Sequence, residues 1–308
     1  MKLRQICVYI ALCLAAVAPA QLIFPNLAPR FTHIYVFGDS LSDAGNVYTL
    51  TFHTYPAPPY WSGRFSSGPV WVENLGNGYG LTIRPSLTGG TDYAYGGAET
   101  GTGASHSGTP NADSQINSFT SNVGTFGTKD LAVLWIGAND LLNGQNNVSI
   151  PTTNIYNECV RLKNLGAKYI LVGNLPLLGY SPRYFGTASQ DPMNALTQAF
   201  NSALDSRLAS FRASYPSVMV FKFDAAAMFN AARYDPAAFG LIDITHSYVA
   251  TNQTENPDTY LFWDDLHPTR VVHAFLGNQA YYLFVGMQPL RVGRNPVITS
   301  HPLSKGHP

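Results

Sequence analysis

The stretch His33-Ile34-Tyr35-Val36-Phe37-Gly38-Asp39-Ser40-Leu41-Ser42-Asp43-Ala44-Gly45-Asn46 joins an apolar run to a polar turn. His33 to Phe37 reads as a strand buried on both faces, the signature of a parallel sheet. Open α/β sheets present their reactive groups just beyond the carboxyl ends of strands, and Ser40 falls there. Far along the chain, Asp264-Asp265-Leu266-His267-Pro268 offers a carboxylate and an imidazole three residues apart. A serine hydroxyl, an imidazole and a carboxylate are the components of acyl transfer through a covalent intermediate.

Similar runs recur on the carboxyl side. Strands are expected at 34–37, 131–136, 169–172 and 218–223, with a weaker one near 81–83 or at 93–95. Helical patterns fill the intervals at 70–75, 115–123, 155–165 and 196–211, and one at 271–285 closes the chain. Strands alternating with helices imply right-handed crossovers and a parallel α/β sheet covered on both faces. The 308 residues are 45% hydrophobic, enough for one large domain, which is expected over 31–286. Residues 50–64, rich in Pro, Tyr and Trp, and 89–110, rich in Gly, Ser and Thr, read as long loops of the kind that shape a site. Residues 287–308 read as a C-terminal tail.

Residues 1–20 have the form of a signal peptide: Lys2 and Arg4, an apolar stretch from Ile6 to Val17, and the small-residue site Ala18-Pro19-Ala20. The stretch is short for a membrane anchor, and no later segment is long and apolar enough to span a bilayer. A secreted, extracellular protein without an integral membrane segment is therefore expected. Cys7 and Cys13 would leave with the leader, so Cys159 alone remains and no internal disulfide forms. Cys159 sits in a helical pattern and reads as a buried apolar residue. Asn147-Val148-Ser149 and Asn252-Gln253-Thr254 are glycosylation sequons, expected in surface loops and used if the host is a eukaryote. Charged residues make up only 12% of the chain, with equal numbers of basic and acidic side chains. Nucleic acid is not an expected partner of such a chain.

Each chemical feature has a plainer reading. Ser40 after a strand is also a common helix N-cap, and Gly-Asp-Ser-Leu-Ser is not the Gly-x-Ser-x-Gly elbow of α/β-hydrolases. Asp264 and His267 also fit a surface loop pair, and Asp265 competes with Asp264 for the imidazole. Asp39, Asp140, Asp264 and His267 are all possible metal ligands. Asn139, in Gly137-Ala138-Asn139-Asp140 after the strand at 131–136, can donate an amide N–H to a developing oxyanion or simply make a turn. Asp92-Tyr93-Ala94-Tyr95-Gly96-Gly97-Ala98 ends in two glycines, which either let a backbone N–H approach a substrate or form a tight turn.

Taken together and in order, four blocks resemble the GDSL family of lipases and acylhydrolases, also called SGNH hydrolases. They are Gly38-Asp39-Ser40-Leu41-Ser42, Asp92 to Gly97, Gly137-x-Asn139-Asp140, and Asp264-x-x-His267-Pro268. The stretches Gly63 to Trp71 and Gly173-Asn174-Leu175-Pro176 are similar to the branch holding plant GDSL esterases, secreted microbial esterases and the acetyl esterases of carbohydrate esterase family 16. The resemblance implies a three-layer α/β/α sandwich with a flavodoxin-like parallel sheet. It implies a triad of Ser40 as nucleophile, His267 as base and Asp264 as its orienter. It also implies an oxyanion hole of the Ser40 N–H, the Gly97 N–H and the Asn139 side chain, with no metal or other cofactor. One position departs from the family pattern: the second block commonly begins with Asn, and here it begins with Asp92.

The expected activity is hydrolysis of a carboxylic ester through an acyl-enzyme. The expected partner is an ester substrate: a small acyl ester, an acetylated carbohydrate or a lipid. Secretion, low net charge and the lack of a basic amphipathic lid favour short acyl chains, acetyl esters of plant polysaccharides among them. Lipase, phospholipase or acyltransferase activity is the alternative within the family. A metal-dependent hydrolase and an inactive sugar-binding protein are the alternatives outside it. Tyr60, Trp61, Phe65, Trp135, Phe262 and Trp263 flank the blocks and either line an acyl groove, stack on sugars or pack the core, the last being expected of Trp135.

Overall fold

A computed structural model describes residues 30–285. The expected signal peptide and C-terminal tail lie outside the described residues. Four strands, β1 (His33–Gly38), β2 (Asp130–Trp135), β3 (Tyr169–Gly173) and β4 (Met219–Phe223), form a parallel sheet in the order β1-β2-β3-β4. Every residue of β2 is buried, as expected of a strand covered on both faces. Residues 91–95 run extended along the other side of β1. The Val36 N–H donates to the Thr91 carbonyl at 3.0 Å, Tyr93 N–H to Val36 at 2.7 Å, and Tyr95 N–H to Gly38 at 3.1 Å. Counting that segment as second in the chain, the order is 2-1-3-4-5, the flavodoxin-like arrangement. The weak strand of the sequence reading is therefore the one at 93–95, and residues 81–83 are irregular.

Eight α-helices are described: α1 (Asn46–Leu50), α2 (Trp71–Gly78), α3 (Ala112–Asn122), α4 (Ala138–Leu142), α5 (Ser149–Asn164), α6 (Gln190–Ser214), α7 (Ala225–Tyr234) and α8 (Arg270–Val285). The crossover through α2 leads away from β2, whereas those through α3, α5 and α6 lead toward β4. Right-handed connections then put α2 on one face and the other three on the opposite face. The packing agrees, with α2 against α8, α3 against α5, and α5 against α6. Between the layers, Trp71 of α2 stacks on Phe223 of β4 with ring centroids 4.9 Å apart and meets Trp135 of β2 edge-on at 5.3 Å. Trp135 is a core residue, and its indole N–H is satisfied by the Asn174 carbonyl at 2.9 Å.

Several elements are additional to the sequence reading. Helices α1 and α4 are single turns, too short to display a periodic stripe. Helix α7 is capped by Asp224, whose side chain accepts from the Ala227 N–H. A second, two-stranded parallel sheet pairs β5 (Asp243–Ser247) with β6 (Tyr260–Phe262). The strand β5 is short and largely polar, which hides it from hydrophobic patterning. The sequon residues Asn147 and Asn252 are exposed in loops, Ser149 opens α5, and Cys159 is buried in α5.

Candidate active site

The strand order reverses between β1 and β2, and the crevice beyond their carboxyl ends is where such sheets bind ligands. Ser40 follows β1, Gly97 follows the 91–95 segment, and Asn139 follows β2, so three adjacent strand ends converge there. The turn after β1 is pinned locally: the N–H groups of Ser42 and Asp43 both donate to the Asp39 carbonyl at 3.0 Å. The Gln115 side chain clamps Gly38 from α3, accepting its N–H and donating to its carbonyl, each at 2.8 Å.

The remaining pair arrives from the small sheet. After β6, the Trp263 N–H donates to the His267 carbonyl at 2.7 Å and the Thr269 N–H to Leu261 at 3.1 Å, closing a loop. Inside that loop, Oδ1 of Asp264 accepts the N–H groups of Leu266 at 2.8 Å and His267 at 2.6 Å. Its Oδ2 lies 2.7 Å from His267 Nδ1, and His267 Nε2 lies 2.7 Å from Ser40 Oγ. With a carboxylate at Nδ1, that nitrogen keeps its proton and Nε2 is left bare to accept from the hydroxyl. Asp265 turns elsewhere, accepting from Arg183 Nε at 2.8 Å.

The charges follow from these contacts. Burial works to raise the Asp264 pKa, but the neighbouring His267 charge and four hydrogen bonds hold the carboxyl well below the usual carboxylate range. Burial works to lower the His267 pKa, but the Asp264 charge and hydrogen bond outweigh it, and the imidazole sits above its ordinary value. Tyr60 supplies one of the four bonds to Asp264: its hydroxyl donates to Oδ2 at 2.7 Å. The ring of Phe65 lies over His267 with centroids 5.3 Å apart. Sequence reasoning marked both aromatics as neighbours of the blocks but gave no sign of these contacts. Nothing local in the sequence says that the 50–64 loop folds back onto a carboxylate 204 positions away.

Three donors beside Ser40 are unused. The N–H groups of Ser40 and Gly97 have no acceptor among the described residues. Asn139 Nδ2 donates to the Ala98 carbonyl at 2.9 Å, which fixes the amide and leaves its second hydrogen free. Gly97 adopts φ +79°, and a Cβ there would lie 2.6 Å from Ser107 Oγ. Its neighbour Gly96 is tied to the first block, its N–H donating to Asp43 Oδ2 at 2.9 Å. Asp43 also accepts the N–H groups of Gly45 and Asn46 through Oδ1 and that of Val47 through Oδ2. Asp92, the departure from the family pattern, uses both oxygens as acceptors, for Ala44 N–H at 2.5 Å and Ala94 N–H at 2.9 Å. An amide could accept only one of these without turning its NH₂ toward a donor. Burial, and then Asp43 beside it, raise Asp92 well above the carboxylate range, and burial raises Asp43 to about 6.

Asp39, whose pKa burial raises to about 7, shares the cavity with Ser40, Gly97, Asn139 and His267. Asp140 is engaged by Thr100, and among the described residues no three His, Cys, Asp or Glu side chains converge to hold a metal ion. The cavity has a volume of about 440 Å³, and Val47, Leu50, Leu142, Leu177, Phe229 and Phe262 contribute apolar wall. No helix among the described residues is long and apolar enough to cross a membrane.

Known proteins place this arrangement in a family. Residues 34–280 match the family model described as GDSL-like Lipase/Acylhydrolase. A phosphatidylcholine-sterol acyltransferase of Aeromonas hydrophila is 32% identical, over 87% of this chain and 94% of its own length. A GDSL esterase/lipase of Arabidopsis thaliana is 24% identical, over 80% of this chain and 81% of its own. Among solved structures, an acetylxylan esterase of Geobacillus stearothermophilus covers 85% of this chain and 97% of its own, with a TM-score of 0.47 at 15% identity. With the match running from β1 into α8, the chain belongs to the GDSL-like lipase/acylhydrolase family and is a carboxylic ester hydrolase with that family's α/β/α fold.

Proposed function

We propose that the chain is a secreted serine esterase that forms an acyl-enzyme on Ser40. The observation that carries this reading is the Ser40–His267–Asp264 relay at 2.7 Å per step beside three unused N–H donors. Ser40 Oγ attacks the ester carbonyl as His267 Nε2 takes its proton. The Ser40 and Gly97 N–H groups and the Asn139 amide receive the oxyanion. Protonated His267 gives its proton to the leaving alcohol, and the acyl group remains on Oγ. Water then attacks with the same imidazole as base, and the acid leaves as Oγ recovers its proton. A binding protein has no use for such a relay, because holding a charged acid and an imidazole in a buried site stabilises nothing about a resting ligand.

The acyl group is proposed to be longer than acetyl. A cavity of about 440 Å³ with apolar walls is larger than a two-carbon group needs. Each additional buried CH₂ contributes about 0.8 kcal/mol. This departs from the short chain favoured by composition and charge. Transfer of the acyl group to an alcohol in place of water is the second reading, favoured by the 32% identity to a phosphatidylcholine-sterol acyltransferase. Export rests on the leader-like residues 1–20, and glycans on the exposed sequons at Asn147 and Asn252.

The test is hydrolysis of p-nitrophenyl esters from C2 to C16, beside phosphatidylcholine and acetylated xylan, with Ser40→Ala as control. Activity should vanish in that variant and in enzyme treated with a serine-directed organophosphonate. A Ser40→Ala protein that retains wild-type turnover would end the proposal. A maximum at C2 would remove the longer acyl chain and leave the esterase intact.

A further inference from the structure

The cavity holds two arginines that the chemistry above does not use. Arg183 is neutralised: its Nε donates to Asp265 Oδ2 at 2.8 Å and its backbone N–H to the Asp265 carbonyl. Arg233, on the last turn of α7, has no ion-pair partner and no side-chain hydrogen bond among the described residues, and its Nη1 is wholly buried. Its guanidinium carbon lies 3.7 Å from the centroid of the Tyr180 ring and 5.8 Å from that of Phe185. Stacking of this kind fixes the plane of the fork but satisfies none of its N–H groups. Burial lowers its pKa somewhat from a value so high that the group stays charged. A buried donor without an acceptor is costly, and more so when charged.

Ser40 and Arg233 come from different strands of the sheet. Ser40 leaves β1, α7 follows β4, and the two strands lie three spacings, or about 14 Å, apart, with Arg233 on the last turn of that helix. Both residues nevertheless line one continuous cavity, and Asn230, on the same helix face as Arg233, lines it too. A substrate with its ester carbonyl at Ser40 therefore extends along the strand ends toward an unneutralised, orientationally fixed guanidinium.

The geometry points to Arg233, assisted by the Asn230 amide, as a recognition site for an oxyanion that the substrate itself carries: a phosphate diester or a carboxylate several bonds from the scissile ester. The planar fork matches either anion by two parallel N–H···O bonds, and a charge-assisted pair in a partly desolvated pocket is stronger than one on the surface. Neutral esters would leave the fork unpaired and lose that contribution. The site selects among substrates and takes no part in bond making, and the assignment rests on the ester hydrolysis proposed at Ser40.

The experiment compares butyryl esters of one ten-carbon chain, long enough to reach from Ser40 toward α7: neutral 10-butyryloxydecanamide, 10-butyryloxydecyl methyl phosphate for the phosphate diester, and 10-butyryloxydecanoate for the carboxylate. The full-length enzyme should hydrolyse at least one anionic ester with kcat/KM tenfold or more above the neutral amide-ended ester. The ratio of anionic to neutral kcat/KM should fall at least tenfold in Arg233→Gln and recover in part in Arg233→Lys, which retains charge without the fork. Thermal melting of each variant reports whether it is folded, and the ratio cancels any general loss of activity. Which of the two anionic esters carries the preference identifies the anion. A wild-type enzyme indifferent to both anions, or a folded Arg233→Gln protein with an unchanged ratio, overturns the assignment. Absence of turnover on the neutral ester as well counts against the esterase reading instead.

Discussion

Tyr60 and His267 donate to the same oxygen of Asp264, each at 2.7 Å. The carboxylate that orients the imidazole is thus itself held from the far side by a phenol on the 50–64 loop. The Tyr60 ring is fixed in turn, meeting Trp263 edge-on at 6.1 Å and Phe65 at 6.4 Å. Burial, and then the Asp264 charge, raise the Tyr60 pKa, so the phenol keeps its proton throughout the range in which the enzyme works. The hydroxyl stabilises the Asp264 anion and draws off part of the charge that His267 experiences.

Tyr60→Phe should therefore act as loss of a positioning contact. A hydrogen bond to a charged group contributes roughly 1.5–3 kcal/mol, only part of which bears on the transition state, so kcat should fall about three- to tenfold with KM little changed. With less of its charge shared, Asp264 favours the imidazolium more strongly. The acid limb of the pH profile should move to higher pH. A pH–rate series on both enzymes checks the sign, and a limb that stays in place would reduce Tyr60 to a packing residue.

Asp264→Asn should cost far more. The amide retains the volume but offers an N–H or a neutral oxygen to Nδ1, and the imidazolium loses its counterion. A fall in kcat of about 10³- to 10⁴-fold is expected, the magnitude associated with the wrong tautomer in triads of this type. Asp265→Asn, which releases Arg183 and removes the smallest of the charges acting on His267, should change kcat by less than about threefold, because a half-exposed ion pair contributes little. Steady-state kinetics on a soluble p-nitrophenyl ester separates the two, and equal losses would mean that the spacing of Asp264 to His267 does not define the orienter.

Much of this arrangement was readable in the chain before it folded, for identifiable reasons. The runs at 34–37, 131–136 and 169–172 are apolar on both faces, so only a doubly covered parallel sheet accommodates them. Chemistry at strand ends then makes Ser40 and Asn139 candidates, and the four ordered blocks with their family resemblance assign the roles. The two adjacent glycines after an extended run marked a close approach or a tight turn, and only the family resemblance singled out Gly97 as the donor. Tyr60 was not legible, since an aromatic in a Pro-rich loop carries no periodicity and its partner is 204 positions away. Gln115 only opens the helical pattern at 115–123, and nothing in that pattern shows that it pairs both polar groups of Gly38. The role of Asp92 was hidden for a similar reason: a conservative change from Asn matters only because two N–H groups face it at once. Arg233 lies on a helix too Ala-rich to show a stripe.

The oxyanion donors should separate into two kinds of loss. Asn139→Ala removes one oxyanion donor and the bond to the Ala98 carbonyl but displaces no backbone, so kcat should fall about 10²- to 10³-fold with a stability loss of roughly 0.5–1 kcal/mol. Gly97→Ala forces a side chain onto a residue at φ +79° and against Ser107, which costs stability of about 1–2 kcal/mol as well as displacing the N–H. Melting temperature and kcat measured together distinguish them. An Asn139→Ala enzyme within threefold of wild type would remove that amide from the site.

Activity and stability should respond to pH in opposite directions above pH 6.5. His267 must be neutral to act as base, and its raised pKa delays that, so kcat/KM should climb with pH through a limb above the ordinary imidazole value of about 6.5. Stability has the reverse slope. Asp39 at about 7 and Glu158 at about 8 hold their protons in the folded protein and release them near pH 4 when unfolded, chiefly because burial penalises their charged forms. The native state then binds more protons than the unfolded one between those limits, and each unit rise in pH removes stability. His267 adds to this, since a raised imidazole pKa stabilises the folded state only while it is protonated. The opposing groups are finished by then: His273, lowered to about 3 by burial, and Asp264, held low by His267, contribute their gains at or below about pH 6.5. The melting temperature should therefore fall from pH 6.5 to 8.5 while turnover rises. Glu158→Gln, which keeps an acceptor for the Gly101 N–H, should flatten the fall in melting temperature and leave the activity limb in place. A melting temperature that rises over the same interval would show that these carboxyls ionise at ordinary values in the folded protein.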